Sequence, residues 1–259
     1  GCAGWPAGRK GAAAHVLREG YTGTGTATQN VNRTMLTVKD GAFVPFTAAN
    51  SGLDATLVKY ISGEDTNNEK GNGQLTKTRP SIHGDVIHSR PLPVNYGAAG
   101  VTVYYGANDG TLRAVNAENG TERWAFVAPE FFSRLSRIEN NLPLITYPGI
   151  EPDDFTPAPK PKDYFYDGSI GVYQNANNTA VWIYPSMRRG GRMLYGIDVT
   201  NPAVAPVFKW RAGCPNLNND TSCTDGMSGI GQTWSTPSAA VIRTFSATTP
   251  VLVFGGGYD

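Results

Sequence analysis

Charged residues are scarce in this sequence, and neither sign of charge dominates. They make up 17% of the 259 residues, and the formal net charge is +1. Such a chain has no long-range field that would attract nucleic acid or anionic lipid, and its lysines and arginines form no basic stripe. No apolar run approaches the roughly 20 residues that a membrane-spanning helix needs. The composition therefore argues against nucleic acid as a partner and against a membrane span.

Cysteine is also rare, with three in the chain. Cys214 and Cys223 enclose a polar loop, PNLNNDTS, that has no core of its own, and a disulfide closing so short a ring adds about 2 to 3 kcal/mol on the chain-entropy model. We predict this disulfide, which indicates an oxidising compartment. Two free thiols in a cytosolic loop are the alternative, and a zinc site would lack a second cysteine pair or a nearby histidine. Cys2 is left over, and we expect its partner to lie outside this sequence.

The first residues, Gly1 and Cys2, do not open a signal peptide, so we expect any export signal to lie upstream or to have been removed. Residues 1–33 are mostly Gly, Ala and Thr, with few large apolar side chains. Such a segment buries little surface, and it is expected to be a loop or extended cover. It is assigned no site.

Turn residues, in contrast, are abundant. The chain contains 31 glycines and 18 prolines, and 10% of its residues are aromatic, a composition typical of a turn-rich, all-β protein. The segment from Val101 to Phe126 predicts three short antiparallel strands. Its strand residues alternate between two faces, and the turns Asn-Asp-Gly at 108–110 and Glu-Asn-Gly at 118–120 tolerate positive φ. Any antiparallel meander would show the same pattern.

The spacing from Ala114 to Trp124 resembles the repeat of quinoprotein-type β-propellers, in which the tryptophan wedges between neighbouring blades. Four further strand-like runs lie between residues 164 and 213, with Trp210 in the place of Trp124. A third unit contributes Ser235–Ile242 and Val251–Gly256. The predicted fold class is therefore all-β: an incomplete, open quinoprotein-like β-propeller of about two full blades plus part of a third, with short helical insertions.

This repeat divides the chain into two parts. Residues 1–77 are an N-terminal extended segment, a hairpin at Thr34–Phe46 and a short helix at Leu53–Ile61, which lead into the propeller. The hairpin is also a candidate for the outer strands of the third unit. Because the usual minimum is about four blades, we expect an open arc that is part of a longer protein. The partial propeller comprises a blade at 78–128, an insertion at 129–163, a blade at 164–213 and half a blade at 230–259.

Calcium is the first metal to consider, in the polar loop after the predicted helix. Asp65, Asn67 and Glu69 alternate as they would in a calcium loop. However, Lys70 stands where the sharp turn needs glycine, and no glutamate closes the twelve-residue pattern. The loop is therefore interpreted as an exposed loop without a metal site.

Two other groups invite a metal or a catalytic interpretation. His83, Asp85 and His88 form H-x-D-x-x-H, but on a strand the third residue faces the opposite side from the first two. A structural role is favoured, in which these side chains join blade ends and fix the start of the first strand. Asp153 and Asp154 are adjacent in a proline-rich run without a partner base, which predicts a solvated loop.

Several motifs in order resemble the C-terminal propeller domain of the PilY and PilC proteins. These are RPSIHGDVIHSRP at 79–91, YYGANDGTLRAVNAENGTERWAF at 104–126, MLTVKDG upstream, IGQTWSTP at 230–237 and the terminal FGGGYD. The match covers roughly Thr34 to Asp259, with gaps. It implies a non-enzymatic adhesin and biogenesis factor at the tip of type IV pili, which supports pilus assembly, surface attachment and twitching motility.

The same resemblance implies partners, location and cofactor. The partners would be minor pilins and the pilus tip, a host or surface ligand, and the remainder of the protein's own propeller. The protein would be exported through the periplasm to the pilus tip or outer cell surface. Calcium control of pilus extension and retraction belongs to the intact family members, while this segment shows no clear calcium loop. It also lacks an Arg-Gly-Asp triplet, the nearest being His83-Gly84-Asp85.

Two rival classes remain open. A quinone-dependent dehydrogenase shares the tryptophan repeat, but it typically uses a disulfide between adjacent cysteines and a carboxylate-rich calcium site, and this chain has no two adjacent cysteines and no C-x-x-C-H haem motif. A periplasmic assembly scaffold with a related propeller is the other. No catalytic, cofactor-binding or metal residue is assigned. The residues assigned structural roles are Cys214, Cys223, Trp124 and Trp210.

Overall fold

The computed structural model describes residues 12–19, 31–147 and 155–257. Strands organised into three sheets dominate this part of the chain, together with a few short helices, so the predicted all-β class is confirmed. None of its helices is both long enough and apolar enough to cross a membrane. The α-helices are α1 (Ala12–Glu19), α2 (Ala48–Ser51), α3 (Ala55–Ser62) and α4 (Phe132–Asn140), and 3-10 turns lie at Gly97–Ala99 and Pro129–Phe131. The expectation of a loop or extended cover for residues 1–33 is therefore wrong at 12–19, where alanine, a strong helix former, supplies the first three residues of α1.

The first sheet is built on the predicted meander. Four strands of this sheet follow one another along the chain and pair in antiparallel fashion: β3 (Leu92–Asn95), β4 (Val101–Gly106), β5 (Thr111–Asn116) and β6 (Glu122–Val127). The last three are the strands of the predicted meander. The turns between them have glycine at positive φ, 88° at Gly110 and 73° at Gly120, as their turn chemistry predicts. The predicted strands of this meander are therefore confirmed.

The N-terminal hairpin extends this first sheet. It consists of β1 (Met35–Lys39) and β2 (Ala42–Pro45), and β1 pairs in parallel with β6, so the sheet has the order β2-β1-β6-β5-β4-β3. Met35 and Leu36 are buried, and the Thr37 hydroxyl donates to the Val127 carbonyl at 2.9 Å. The idea that this hairpin lends strands to the third unit is therefore wrong, because its apolar side chains are already buried in the first sheet.

Helix α3 confirms the predicted short helix. Its N-cap is Asp54, whose carboxylate accepts hydrogen bonds from the backbone N–H groups of Thr56 and Leu57. Such a cap satisfies two of the N–H groups that a helix start leaves without partners. The helix buries Leu57, Val58, Tyr60 and Ile61.

The second sheet has four antiparallel strands, and the third has two. The second consists of β7 (Ile170–Gln174), β8 (Val181–Pro185), β9 (Arg192–Asp198) and β10 (Val207–Cys214), in the order β10-β9-β8-β7. The third pairs β11 (Ser238–Ala240) with β12 (Val251–Val253). Five of these six strands lie within predicted runs, and β10 extends one residue past the predicted end at 213. Strands β11 and β12 are shorter than expected.

Aromatic side chains pack the first two sheets together. Phe126 of β6 lies 5.8 Å from Tyr166 and 5.1 Å from Tyr195 between ring centroids, and Phe43 of β2 lies 5.9 Å from Phe208 of β10. The hydrophobic core is one cluster that includes residues of both sheets. Burying this apolar surface is the main stabilising contribution to the contact between them.

The two repeat tryptophans have different surroundings. Trp124 is 3% exposed and lies 5.9 Å from Tyr104 within the shared core. Trp210 is partly exposed on β10, where it stacks on Tyr184 and covers Gly196, at which a Cβ would lie 2.5 Å from the indole. The expected role of both as wedges between blades stays a prediction.

Candidate functional site

One face of the molecule carries the segments that precede the first strand of each sheet and the turns that follow the second strand. We call it the junction face. Its lead-in segments are residues 79–91, 163–169 and 230–237, which precede β3, β7 and β11 respectively. Its turns are residues 107–110 and 186–191, which follow β4 and β8. The first and third units repeat one contact. The Gly106 N–H donates to Ser89 Oγ at 2.8 Å, and the Gly255 N–H donates to Ser235 Oγ at 2.8 Å. The first and third units therefore share the same contact between the lead-in serine and the glycine at the end of the second strand.

Each turn also reaches the segment that leads into the next sheet. Asn108 accepts from the Phe165 N–H at 3.2 Å and donates to Asp167 at 3.3 Å. In the second unit, the Met187 N–H donates to Thr233 Oγ at 2.8 Å, and the Arg188 N–H donates to the Thr233 carbonyl at 3.1 Å. Each turn is thus joined by polar contacts to the segment that leads into the next sheet, although the groups involved differ.

Two glycines allow the backbones of successive units to touch. A Cβ on Gly106 would overlap the carbonyl oxygen of Tyr166, and a Cβ on Gly171 would overlap the carbonyl oxygen of Pro237. Neither glycine has positive φ, so the close approach rather than the backbone conformation requires glycine at these sites.

His83, Asp85 and His88 lie on the junction face in an irregular segment, not on the strand that the sequence interpretation considered. Each binds a different neighbour. His83 Nε2 is 2.8 Å from the Tyr105 hydroxyl, Asp85 is 3.0 Å from Lys162 Nζ, and His88 Nδ1 is 2.6 Å from Asp167.

His88 therefore links the segment before the first sheet's β3 to the segment before β7, because Asp167 lies three residues before the start of β7. Asp167 is buried, and it also accepts from the His88 backbone N–H at 3.3 Å. This is the arrangement expected of a side chain that joins unit ends.

A buried ionic network lies beneath the junction face, and the sequence interpretation missed it. Arg113, on the central strand β5, is 0% exposed, and its guanidinium contacts Asp109 at 2.5 Å and Glu122 at 2.8 Å. Glu122 also binds Arg33 at 2.6 Å, which attaches the chain before β1 to the meander. The remaining Arg113 donors reach Thr111 Oγ at 2.9 Å and the Ile82 carbonyl at 3.1 Å.

The carboxylates of this network stay ionised. Burial alone would raise the pKa of Asp109, but Arg113 and His83 offset it and hold that pKa well below its usual range. The pKa of Glu122 is lowered as well, because Arg33 and Arg113 outweigh the effect of burial. In turn, the two carboxylates raise the pKa of Arg113 against the opposing effect of burial. The network is a satisfied set of opposite charges with a structural role.

The pKa of His83 is lowered, first by burial and then by the nearby charge of Arg113. Its Nδ1 lies 2.6 Å from the Gly84 carbonyl, so in the neutral ring that nitrogen carries the proton and Nε2 accepts from Tyr105. Because the same burial raises the pKa of Tyr105 to about 12, its hydroxyl stays a donor.

We predict that lowering the pH from 7.5 to 5.5 destabilises the chain through His83. In the unfolded chain the His83 side chain has its ordinary pKa of about 6.5, whereas in the folded chain that pKa is lower. The unfolded state therefore binds more protons as the pH falls, and the free energy of unfolding decreases by at most about 1.4 kcal/mol per pH unit. Asp109 and Glu122, with lowered pKa values, keep their full contribution in this range. Urea unfolding across these pH values checks the prediction. The His83→Gln variant should depend less on pH, and an equal slope in both proteins would contradict it.

The loop after α3 does not fit a calcium site. Asp65 is buried and accepts from the backbone N–H groups of Glu69 and Lys70, and Glu69 accepts from Tyr60 at 2.9 Å and Ser81 at 2.6 Å. These carboxylates already have protein donors, so they serve the loop itself. Asp153 and Asp154, like Cys2, lie outside the described residues.

The disulfide between Cys214 and Cys223 is present. Together with Asp220, these cysteines form the one group of potential metal ligands detected in the described part of the chain, and their bond removes the thiolates that a metal would need. Arg192 also holds the disulfide loop, donating to the carbonyls of Asn216 at 3.3 Å and Asn219 at 2.8 Å.

We expect a non-reduced proteolytic digest to contain the Cys214 and Cys223 peptides as one linked species, which mass spectrometry would identify. The Cys214→Ser/Cys223→Ser variant should lose about 2 to 3 kcal/mol, because its unfolded state regains the freedom of the open loop. Finding both cysteines alkylated in the native, non-reduced protein would contradict the linkage.

A surface groove of about 610 Å³ lies between the start of α4 and the disulfide loop. Glu130 and Arg211 line it, and their side chains bind each other at 2.9 Å. The second oxygen of Glu130 accepts from Tyr195 at 2.5 Å, so this carboxylate has protein partners on both oxygens. The groove is lined further by Pro129, Phe132, Ser133, Arg134 and residues 215–219.

The described part of the chain is an all-β protein of repeated sheet units. Its sheets follow one another along the chain and are joined by contacts between turns and lead-in segments.

No family model matches the chain. It is 30% identical over 207 residues to the type IV pilus biogenesis factor PilY1 of Pseudomonas aeruginosa strain UCBPP-PA14. The aligned region covers 70% of this chain and 16% of that protein. It is 26% identical over 233 residues to the PilY1 homolog of Xylella fastidiosa strain Temecula1, covering 80% of this chain and 17% of that protein.

The chain therefore belongs to the PilY1-type family, as the sequence motifs predicted. A further relative, PilY1 of Pseudomonas aeruginosa strain PAO1, is 28% identical over 183 residues, or 60% of this chain. The chain spans about a sixth of the length of the first two relatives, with 16% and 17% of those proteins covered.

Proposed function

We propose that this chain is a propeller segment of a type IV pilus biogenesis factor that acts by binding rather than by catalysis. The observation that carries the proposal is the similarity to proteins named PilY1 type IV pilus biogenesis factors, over 70% and 80% of the chain. The intact protein would support pilus assembly, surface attachment and twitching motility. Its partners would be minor pilins, the pilus tip, and a host or surface ligand.

The three sheets are the proposed blades. Two have the four-strand meander of a blade, and the repeated serine contact relates the third to the first. The third sheet has two strands, and Val253 of β12 is 59% exposed. Further strands of the intact protein would pair with the free edge of β12 and cover this surface, which would otherwise promote aggregation.

The proposed location is the pilus tip or outer cell surface, reached through the periplasm. The disulfide between Cys214 and Cys223 supports an exported protein, because such bonds persist in oxidising compartments. Any calcium site of the intact protein would lie elsewhere than the Asp65 loop, whose carboxylates are already bound.

The test is a substitution in the gene of the intact protein, in a strain that carries no second copy of this family. Gly106→Val should disrupt the contact of the first two sheets, since Gly106 has no room for a side chain. Gly256→Ala is the control, because nothing lies within 4 Å of its Cβ position. Three quantities would be measured in each strain: the amount of surface pilin, by immunoblotting of sheared pili; the diameter of the twitching zone; and the level of the variant protein.

We expect the Gly106→Val strain to lose most surface pilin and twitching, while the Gly256→Ala strain matches the parent. Normal piliation and twitching in a strain whose Gly106→Val protein is degraded would contradict the proposed function.

A further inference from the structure

Two adjacent arginines on the junction face share one tryptophan. The Arg188 guanidinium lies 4.4 Å from the centre of the Trp234 ring, and that of Arg189 lies 5.5 Å from it. Arg189 also lies 5.6 Å from the ring of Tyr164. Two like charges are therefore held against one aromatic surface, in an arrangement whose mutual repulsion favours an anion between or beside them.

Neither arginine has an acidic partner within the described residues. The salt bridges of this part of the chain engage other arginines, such as Arg113, Arg192 and Arg211, but not Arg188 or Arg189. In addition, Arg188 Nε is buried and has no hydrogen-bond partner. A buried donor without an acceptor is unfavourable, so the protein's own groups leave this guanidinium incompletely hydrogen-bonded.

The backbone holds this pair in place. Arg188 adopts φ of 48°, a left-handed conformation that residues other than glycine seldom take. The Arg188 N–H donates to the Thr233 carbonyl, and Gly190 packs so closely on Phe165 that a Cβ would overlap the Phe165 carbonyl oxygen. The turn is thus fixed from two sides before any ligand arrives, which lowers the entropic cost of binding.

The pair also lies where all three units meet. Trp234 belongs to the segment before β11, and Tyr164 belongs to the segment before β7. The ring of His88, from the segment before β3, lies 6.4 Å from that of Tyr164. A ligand at this position would lie between the segments before β7 and β11, whereas the groove beside α4 is lined mainly by residues 129–134 and the disulfide loop.

From this geometry we propose that Arg188, Arg189 and Trp234 form a binding site for the carboxylates of an acidic peptide segment. Guanidinium groups only donate hydrogen bonds, so the ligand must supply acceptors, and carboxylates match their two-pronged geometry. Neutral sugar hydroxyls, which both donate and accept, fit less well. The chain's net charge of +1 and its lack of a basic stripe disfavour a nucleic-acid backbone as the anion. The proposal does not depend on the pilus function.

The test is fluorescence anisotropy of a labelled poly-glutamate peptide titrated with the full chain, with inorganic phosphate as competitor. The variants are Arg188→Asn, which tolerates the left-handed backbone, and Arg189→Gln. Arg243→Gln, at an exposed residue, is the matched loss of one positive charge. Unfolding curves of each protein verify that the variants keep the fold.

We expect the Arg188→Asn and Arg189→Gln variants each to weaken peptide binding by about tenfold or more, because a charge-assisted contact is lost. Arg243→Gln should leave binding unchanged. Undetectable binding by the unsubstituted chain, or equal weakening in all three variants, would overturn the site. Competition by phosphate as strong as that of the unlabelled peptide would overturn the assignment to a peptide carboxylate.

Discussion

Replacing Arg113 by methionine is expected to destabilise the folded chain by about 3 to 5 kcal/mol. The methionine removes the cation that Asp109 and Glu122 share, while both carboxylates remain in the interior. Arg33 still neutralises Glu122, but Asp109 would keep only its hydrogen bonds from the Gly84 N–H and from the N–H and hydroxyl of Thr111. A loss of this size approaches the total stability of many domains, which is about 5 to 15 kcal/mol.

The measurement is the free energy of unfolding from urea titration at pH 7.5. Arg243→Met is the control, since Arg243 is exposed and its replacement should change stability by no more than about 0.5 kcal/mol. If Arg113→Met were as stable as the control, the network would not hold the meander together. The double variant Arg113→Met/Asp109→Asn should recover part of the loss, because it removes one of the unpaired charges.

Gly106→Ala is expected to have the second large effect, a destabilisation of about 3 kcal/mol. Added volume in a well-packed contact typically costs about 1 to 3 kcal/mol. Here the added methyl group would overlap a backbone carbonyl, that of Tyr166, which cannot move away by changing a rotamer. The contact between the first two sheets must therefore open.

Thermal unfolding and near-ultraviolet circular dichroism would both report this change, the second because Tyr166 packs against Phe126 and Phe131. Gly256→Ala is a matched control without positive φ and with open space at its Cβ. Equal melting temperatures for the two variants would show that the sheets do not meet at Gly106.

Local features of the fold were predictable because their causes are local. The strands of the first two sheets follow from strand-like runs separated by turn residues such as Gly, Asn and Pro, and the start of α3 follows from Asp54. The disulfide follows from two cysteines that enclose a short polar loop. Each of these signals lies within a few residues of the structure that it determines.

Long-range pairings left no comparable signal. The parallel pairing of β1 with β6 joins Leu36 to Phe126, and neither segment alone identifies its partner. His88 and Asp167 are 79 residues apart in sequence, so no local motif connects them. A family resemblance carried the identity of the chain where the physical chemistry of short segments could not.

The buried network and the arginine pair were missed for a related reason. An arginine in a strand usually indicates a solvent-facing side, yet Arg113 points into the interior, where it pairs with Asp109 and Glu122. Arg33, which completes the network by binding Glu122, is 89 residues away from it in sequence. Arg188 and Arg189 read as a polar turn in the sequence. Only the position of Trp234, from the next unit, gives that turn a candidate binding role.

The central claim is that the three sheets are successive propeller blades of a longer PilY1-type protein. The most direct test is a structure of the intact protein by cryo-electron microscopy or crystallography. We expect the sheets that contain β4, β8 and β12 to surround one axis, with further strands pairing at the free edge of β12 to complete a four-stranded blade. An intact protein in which the third sheet stays two-stranded, or in which the sheets stack face to face as a sandwich, would contradict the claim.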